Sequence, residues 1–351
     1  MKKKAVVGMS GGVDSSVAAL LLKEKGYEVT GLTIETWEEG DTLEETGDSH
    51  DIRAAKQVAE VLGITHRTLN LKKEFKERVA DNFIMEYRNG RTPNPCILCN
   101  HYVKWAGLLA VADEIGADLV ATGHYARVDL LPNGRYSVKN SASAAKDQTY
   151  VLWRLSQDQL ARTCFPVGEY EKTEVRRIAE EAALPPAHTP DSQEICFVPG
   201  TDYAAFLVRQ GAEEEPGNFV DSSGRVLGRH QGILHYTVGQ RKGLGISFGH
   251  PVYVTEIRPE QNEVVLGTNE DLFVTEVKAD DVHLMAALPF TEGDFTAKIR
   301  YAKKAAPCRI RMTGEHTLTA VFEEPQRAPT PGQSIVFYEG DYVAGGGVIL
   351  S

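Results

Sequence analysis

Along the first 125 residues, short apolar runs alternate with longer stretches whose apolar side chains return every three or four positions. The runs Ala5 to Gly8, Glu28 to Ile34, His66 to Leu69 and Leu119 to Thr122 read as strands. Val17 to Lys25, Ser49 to Leu62, Lys73 to Arg88 and Val103 to Ile115 read as helices. Gly26, Gly63 and Gly116 stand where helix C-termini call for a left-handed residue. Such alternation predicts a parallel sheet flanked by helices, with active residues at the C-terminal ends of the strands.

The pattern then changes. Ser156 to Thr163, Thr173 to Ala183 and Asp202 to Gln210 read as helices between Pro-containing loops, a small helical middle region. From Pro216 onward come short β-rich runs, among them Phe219 to Leu227, Val252 to Ile257 and Glu263 to Leu266, which predict small β-barrels. The expected fold class is α/β: an N-terminal parallel sheet, the helical region and C-terminal β-barrel domains. Expected boundaries are 1–150, 151–216, 217–277 and 278–351. No Gly- and Ser-rich linker separates these parts, so they are expected to pack on one another.

Composition narrows the function classes. A chain of 351 residues with 42% hydrophobic content can fold several cores. The basic start Met1 to Lys4 is not followed by a sufficient apolar run, and no later stretch could span a bilayer, so a soluble cytoplasmic protein with no membrane partner is expected. The five cysteines form no dense framework, which favours thiols used as ligands or in catalysis over structural disulfides. A net charge of −11 argues against an indiscriminate polyanion binder.

The strongest chemical signal is Ser10-Gly11-Gly12-Val13-Asp14-Ser15-Ser16, between the first strand and the first helix. Two glycines allow consecutive N–H groups to face one concavity, and the following helix presents its positive end to an anion. The segment lacks the lysine of a Walker loop and the third glycine of a dinucleotide fingerprint. It resembles the PP-loop of ATP pyrophosphatases. Asp14 has two readings, a magnesium ligand beside a triphosphate and a helix N-cap.

A second signal is Gly90 to Asn100, where Pro93 and Pro95 stiffen a loop that presents Cys96 and Cys99; a further thiol, Cys196, follows Ile195. Cys96 and Cys99 could be half of a zinc site, with Cys196 and a distant histidine as the rest. Alternatively they stand at the mouth of a helix, whose positive end lowers a thiol pKa. Cys164 and Cys308 lie in apolar surroundings and read as ordinary buried or half-buried cysteines. The acidic run from Glu35 to Glu45 reads as a solvated loop.

The Ser10 to Ser16 loop, Thr92 to Pro95 with Cys99, Ala121 to Tyr125, Lys146 to Tyr150, Ile195 to Phe197, His235 to Gly245 and Thr330 to Ser334 together resemble the tRNA-specific 2-thiouridylase family, in order over nearly the whole chain. The resemblance implies a tRNA-uridine 2-sulfurtransferase acting on the wobble uridine of tRNAs for Lys, Glu and Gln. In that reaction ATP, with magnesium, adenylates the C2 carbonyl oxygen, and sulfur then displaces AMP.

Matching residue by residue, the family implies that Cys196 carries a persulfide and that Cys99 attacks it, leaving a Cys99–Cys196 disulfide. A cysteine desulfurase or sulfur-relay protein is implied as the donor. Gly8, Met9, Ser10, Gly11, Gly12, Val13, Asp14, Ser15, Ile34 and Gly123 match ATP contacts. Asn94, Pro95 and Cys96 match residues around the flipped base. His124, Lys146, Asp147, Gln148, Arg300, Tyr301 and Gln333 match tRNA contacts. Many members carry Asp where this chain has Cys96, so three cysteines (Cys96, Cys99, Cys196) could instead hold an iron–sulfur cluster. Lys298, Arg300, Lys303, Lys304, Arg309 and Arg311, in a stretch without Asp or Glu, suggest a basic β-surface for RNA, or else solvated strand edges. Two competing classes are a PP-loop ligase that transfers nitrogen, which would not need Cys99 and Cys196, and a non-catalytic RNA-binding protein.

Overall fold

The computed structural model describes residues 2–37, 49–188, 195–198, 200, 202–247 and 249–350. Most of the acidic run after Trp37 lies outside the described residues. In chain order the first elements are β1 (Lys4–Gly8), α1 (Val13–Glu24), β2 (Glu28–Glu35), α2 (His50–Leu62), β3 (Thr65–Asn70) and α3 (Lys72–Phe75). A π-helical turn (Lys76–Ala80) joins α3 to α4 (Asp81–Arg88), and another (Cys99–Lys104) joins α5 (Pro95–Leu98) to α6 (Trp105–Ile115). Next come β4 (Leu119–Ala121), β5 (Arg127–Leu130), β6 (Tyr136–Lys139), α7 (Gln157–Ala161), β7 (Thr163–Cys164), α8 (Lys172–Glu181) and α9 (Tyr203–Arg209). The rest is β: β8 (Gly217–Val220), β9 (Val226–His230), β10 (Tyr253–Arg258), β11 (Glu263–Gly267), β12 (Phe273–Leu284), β13 (Glu292–Lys298), β14 (Ala306–Gly314), β15 (Thr317–Arg327), β16 (Ser334–Glu339) and β17 (Tyr342–Ile349).

Two compact units divide the chain, residues 1–79, 96–193 and 341–343 in one, and 80–95, 194–340 and 344–351 in the other. The first unit holds a five-stranded parallel sheet in the order β3-β2-β1-β4-β7. Ala5, Val6 and Val7 of the central strand are fully buried, as a parallel strand covered on both faces requires. Helix α1 packs Val17, Ala18 and Leu22 into a core shared with Val175 and Ala179 of α8. Ser49 caps α2 by accepting from the Ile52 amide at 3.3 Å, and Gly63 (φ +60) and Gly116 (φ +65) end α2 and α6 in the left-handed conformation.

Two stretches differ from the sequence expectation. The middle region is not wholly helical: Ser156 and Gln159 form a capping box that starts α7, but Thr163–Cys164 becomes a fifth parallel strand, pairing with Val120 and Ala121. The run Phe219 to Leu227 is two strands, because the Asp221 carboxylate accepts from the Ser223 and Arg225 amides, both at 3.0 Å, and closes a turn between antiparallel β8 and β9.

In the second unit, a four-stranded sheet in the order β10-β11-β8-β9 encloses Phe219, Tyr236, Val254 and Val264. Strands β12, β15, β14, β13, β16 and β17 form a ring that closes by β12–β17 pairing. Val277, Ile310, Ala320 and Phe337 fill the interior of this antiparallel barrel. Among the described residues no helix is long and apolar enough to cross a membrane.

Candidate functional site: a phosphate cradle and a loop pocket

The cradle follows the central strand at the point where the sheet order reverses, β2 lying on one side of β1 and β4 on the other. Gly11 has φ +75, and a side chain there would bring its Cβ within 2.6 Å of the Ala54 Cβ and 3.1 Å of the Asp51 carbonyl, so α2 also requires a glycine. Gly12 is the N-cap of α1 and has no side chain to cover the first N–H groups, which leaves the positive helix end open to an anion. Ser15 Oγ and Ser16 Oγ donate to the Gly12 carbonyl at 3.1 and 2.8 Å, while Ser15 Oγ accepts from the Ser10 amide at 3.3 Å. These bonds fix the loop from inside.

Asp14 lies in the first turn of α1 and is not the N-cap, which overturns the capping reading. Its carboxylate accepts from Lys172 Nζ on both oxygens at 2.8 Å and from the Tyr125 hydroxyl at 2.8 Å. The Tyr125 amide in turn donates to Gln148 Oε1 at 2.9 Å. Both Asp14 oxygens already accept from an ammonium, and an ammonium so close repels a second cation; the residues present do not fit a protein-held magnesium ion. Gly123 follows β4. A Cβ there would lie 2.6 Å from both the Asp14 carbonyl carbon and the Ser15 nitrogen, so Gly123 buttresses the loop backbone directly.

Met9 is buried; its amide donates to the Leu32 carbonyl at 2.8 Å, and its carbonyl accepts from Thr33 Oγ1 at 2.9 Å. Ile34 comes within 3.1 Å of where a Gly107 Cβ would stand. The structure therefore brings Gly8 to Ser15, Ile34 and Gly123 to the C-terminal ends of β1, β2 and β4. Lys172 and Tyr125 were not singled out for this site, because nothing in the local sequence of α8 marks its first lysine as a partner of Asp14.

Cys96 lies in the single turn of α5, and Cys99 begins the π-helical turn. Cys99 is buried, whereas Cys96 and Cys196 are exposed. The sequence expectation of lowered thiol pKa fails at Cys96. Although its surface reaches solvent, the protein packed around it withholds water from a thiolate and pushes the thiol up, and Lys104 pulls it down only in part. Among the described residues no three His, Cys, Asp or Glu side chains gather to hold a metal, so the iron–sulfur and zinc alternatives find no assembled ligand set. Cys164 is half-buried with its thiol raised by desolvation, and Cys308, in the barrel core, is pushed up to about 12.

His124 is half-buried, its Nδ1 2.7 Å from Thr122 Oγ1 and its ring centroid 5.7 Å from that of Trp105. Burial, assisted by Lys104, lowers its pKa to about 3, so it is a neutral ring at physiological pH. Asp147 is a loop organiser, accepting from the Thr149 amide and hydroxyl on one oxygen and from the Ser141 amide on the other. Lys146 and Gln148 are half-buried beside it.

The second unit contains a cavity of about 550 Å³ lined by Thr92 to Pro95, Gln333, Tyr87, Ile195, Tyr203, His235, Thr237 and Gln240, among others. It unites four sequence motifs, those at Thr92 to Pro95, Ile195 to Phe197, His235 to Gly245 and Thr330 to Ser334. Gln333 Nε2 donates to the Thr92 carbonyl at 2.8 Å, the Thr92 amide to the Pro331 carbonyl at 2.8 Å, and Thr92 Oγ1 to Thr237 Oγ1 at 3.2 Å. A Cβ on Gly332 would lie 2.9 Å from the Thr92 nitrogen, so that glycine admits the loop. Asn94, Pro95 and Gln333 thus share one cavity. His235, Thr237 and Gln240 had no assigned role in the sequence, and only this folding together reveals their place.

The basic stretch is less uniform than its sequence. The Arg300 guanidinium donates to the Val238 and Ala328 carbonyls at 2.9 and 3.1 Å and to the Thr330 hydroxyl. Arg309 pairs across the strands with Asp294 at 2.8 Å, and Arg311 lies opposite Glu292. Tyr301, Lys303 and Lys304 are exposed.

Comparison with known proteins divides the chain in three. Residues 3–200 match the family described as tRNA methyl transferase HUP domain, residues 204–268 its PRC-barrel domain, and residues 274–349 an aminomethyltransferase β-barrel domain. The chain is 56% identical to the tRNA-specific 2-thiouridylase MnmA of Lachnoclostridium phytofermentans, covering 99% of both chains. It is 49% identical to that of Clostridioides difficile, over 99% of this chain and 98% of the relative, and 48% identical to that of Carboxydothermus hydrogenoformans with the same coverage.

Proposed function

The chain belongs to the tRNA-specific 2-thiouridylase family, and from that premise we propose that it converts the wobble uridine of tRNAs for Lys, Glu and Gln to 2-thiouridine at the expense of ATP. The observation that carries the ATP half is the uncapped start of α1 behind a glycine turn at the sheet's switch point. Ser10 to Ser15, buttressed by Gly123, hold the polyphosphate, and Gly8, Met9 and Ile34 border the rest of the nucleotide. The C2 carbonyl oxygen of the base attacks the α-phosphate, pyrophosphate leaves, and a poor leaving oxygen becomes AMP.

Sulfur arrives as a persulfide on Cys196, made by a cysteine desulfurase or a sulfur-relay protein. The exposure of Cys196 supports loading by such a donor. The Cys99 thiolate attacks the Cys196 sulfur, a Cys99–Cys196 disulfide forms and hydrosulfide is released; hydrosulfide adds at C2 and AMP departs. An external dithiol then reduces the disulfide. The cavity lined by Asn94, Pro95 and Gln333 supports recognition of a nucleotide displaced from its stack, since it is large enough for one and walled by polar and aromatic side chains. Its neutral, half-buried ring suits His124 to hydrogen bonding or stacking rather than to pairing with a phosphate.

The test is direct. Protein prepared without oxygen is incubated with ATP, magnesium, sulfide and unmodified tRNA, and wobble nucleosides are analysed by mass spectrometry. ATP-dependent 2-thiouridine supports the reading. With a persulfide donor replacing sulfide, Cys99→Ser and Cys196→Ser should each abolish product. Full activity of both variants would overturn the persulfide route through Cys99 and Cys196, and folded wild-type protein that consumes ATP without forming 2-thiouridine would move the assignment to a nitrogen-transferring ligase.

A further inference from the structure

The cradle has no lysine of its own, yet a cation reaches it from 158 residues downstream. Lys172 opens α8, whose start is fixed by a capping box between Glu171 and Glu174, and α8 is held against α1 through Val175 and Ala179. Its side chain is 12% exposed and its ammonium lies 2.8 Å from both oxygens of Asp14, with the Tyr125 ring 5.7 Å away. We propose that Lys172 is a positioning residue of the nucleotide site: its ammonium is the counter-charge that lets Asp14 stand in the first turn of the phosphate-facing helix without repelling a polyphosphate.

This role for Lys172 rests on the nucleotide reading and deepens it. A carboxylate in a first helical turn is favoured by the helix dipole, but the same turn is where an incoming polyphosphate must sit, and two anions there repel. A pair with Lys172 has no net charge, and it holds the carboxylate in one orientation, tied also to Tyr125. Without the lysine, a bare carboxylate a few ångströms from phosphate in a partly buried site weakens binding by roughly ten- to hundredfold. The penalty grows with ligand charge, so ATP suffers more than AMP.

Dissociation constants for ATP and AMP, measured by calorimetry without magnesium on the full chain, decide the matter, with thermal melting as a check on folding. Lys172→Met is expected to weaken ATP by about ten- to hundredfold and AMP by only a few-fold, and Lys172→Arg to retain most of the affinity. The double variant Asp14→Asn with Lys172→Met removes both charges and should regain ATP binding to within a few-fold of wild type, a recovery that a purely structural lysine would not produce. Unchanged ATP binding by Lys172→Met, or equal losses in the single and double variants, would overturn the proposal. Wild-type protein that binds neither nucleotide would instead overturn the nucleotide reading beneath it.

Discussion

One methyl group tests how the cradle is built. Gly123 is not left-handed; it is glycine because the backbone of Asp14 and Ser15 passes 2.6 Å from where its Cβ would be. In Gly123→Ala the loop must retreat by several tenths of an ångström, and amides aimed at phosphate lose their convergence. ATP affinity should fall at least about tenfold while the melting temperature changes little, as titration calorimetry and thermal melting would show; unchanged affinity would remove Gly123 from the site. A second residue makes a prediction about pH. Burial lowers the pKa of His124 to about 3 from an ordinary 6.5, so between these values the unfolded chain binds a proton that the folded chain refuses. The stability contributed by the neutral ring is therefore complete above pH 6.5 and declines as pH falls toward 3. In NMR titration the His124 ring resonance should stay flat from pH 8 to pH 5, whereas a midpoint near 6.5 would contradict the buried environment.

At the scale of single elements, one arginine holds loops together. Arg300, just beyond β13, ties the Val238, Ala328 and Thr330 loops together through one guanidinium nitrogen. Arg300→Ala leaves two buried carbonyls short of a charged donor and should destabilise the second unit by about 2–4 kcal/mol, read from chemical denaturation. If it alters tRNA binding while leaving stability intact, the arginine contacts RNA instead. The same contrast explains what the sequence disclosed. The parallel strands were legible because burial on both faces writes continuous apolar runs, and Gly63 and Gly116 end their helices for a reason local to the chain. The split of Phe219 to Leu227 was legible too, since Asp221-Ser222-Ser223-Gly224 is a turn sequence between Val220 and Val226; a single-strand reading passes over it, and Asp221 closes the turn with its own side chain. Thr163–Cys164 became a strand only because β4 lay open beside it, a fact of tertiary structure. The cradle motif was visible as seven consecutive residues, whereas its partner Lys172 lies 158 positions away from Asp14 and carries no mark of its own.

For the whole molecule the question is how a chain of net charge −11 engages a polyanion. In sequence the stretch from Lys298 to Arg311 looks like a basic face, but folding spends part of that charge: Arg300 serves backbone carbonyls, and Arg309 pairs with Asp294 at 2.8 Å and Glu292 at 3.6 Å. Lys303 and Lys304, both exposed in the turn between β13 and β14, remain as the charges in this stretch best placed to approach phosphate. Each phosphate contact contributes about 0.7–0.9 to the slope of log affinity against log salt. If both lysines contact the tRNA backbone, the Lys303→Ala, Lys304→Ala double variant should flatten that slope by about 1.5 and weaken tRNA binding at low salt, leaving ATP affinity and melting temperature unchanged. Filter-binding or anisotropy titrations over a series of salt concentrations would measure it. An unaltered slope would mean that the turn stays in solvent and that an acidic protein holds its tRNA mainly by shape and by the pocket at Asn94 to Pro95, so affinity would depend on the flipped nucleotide far more than on ionic strength.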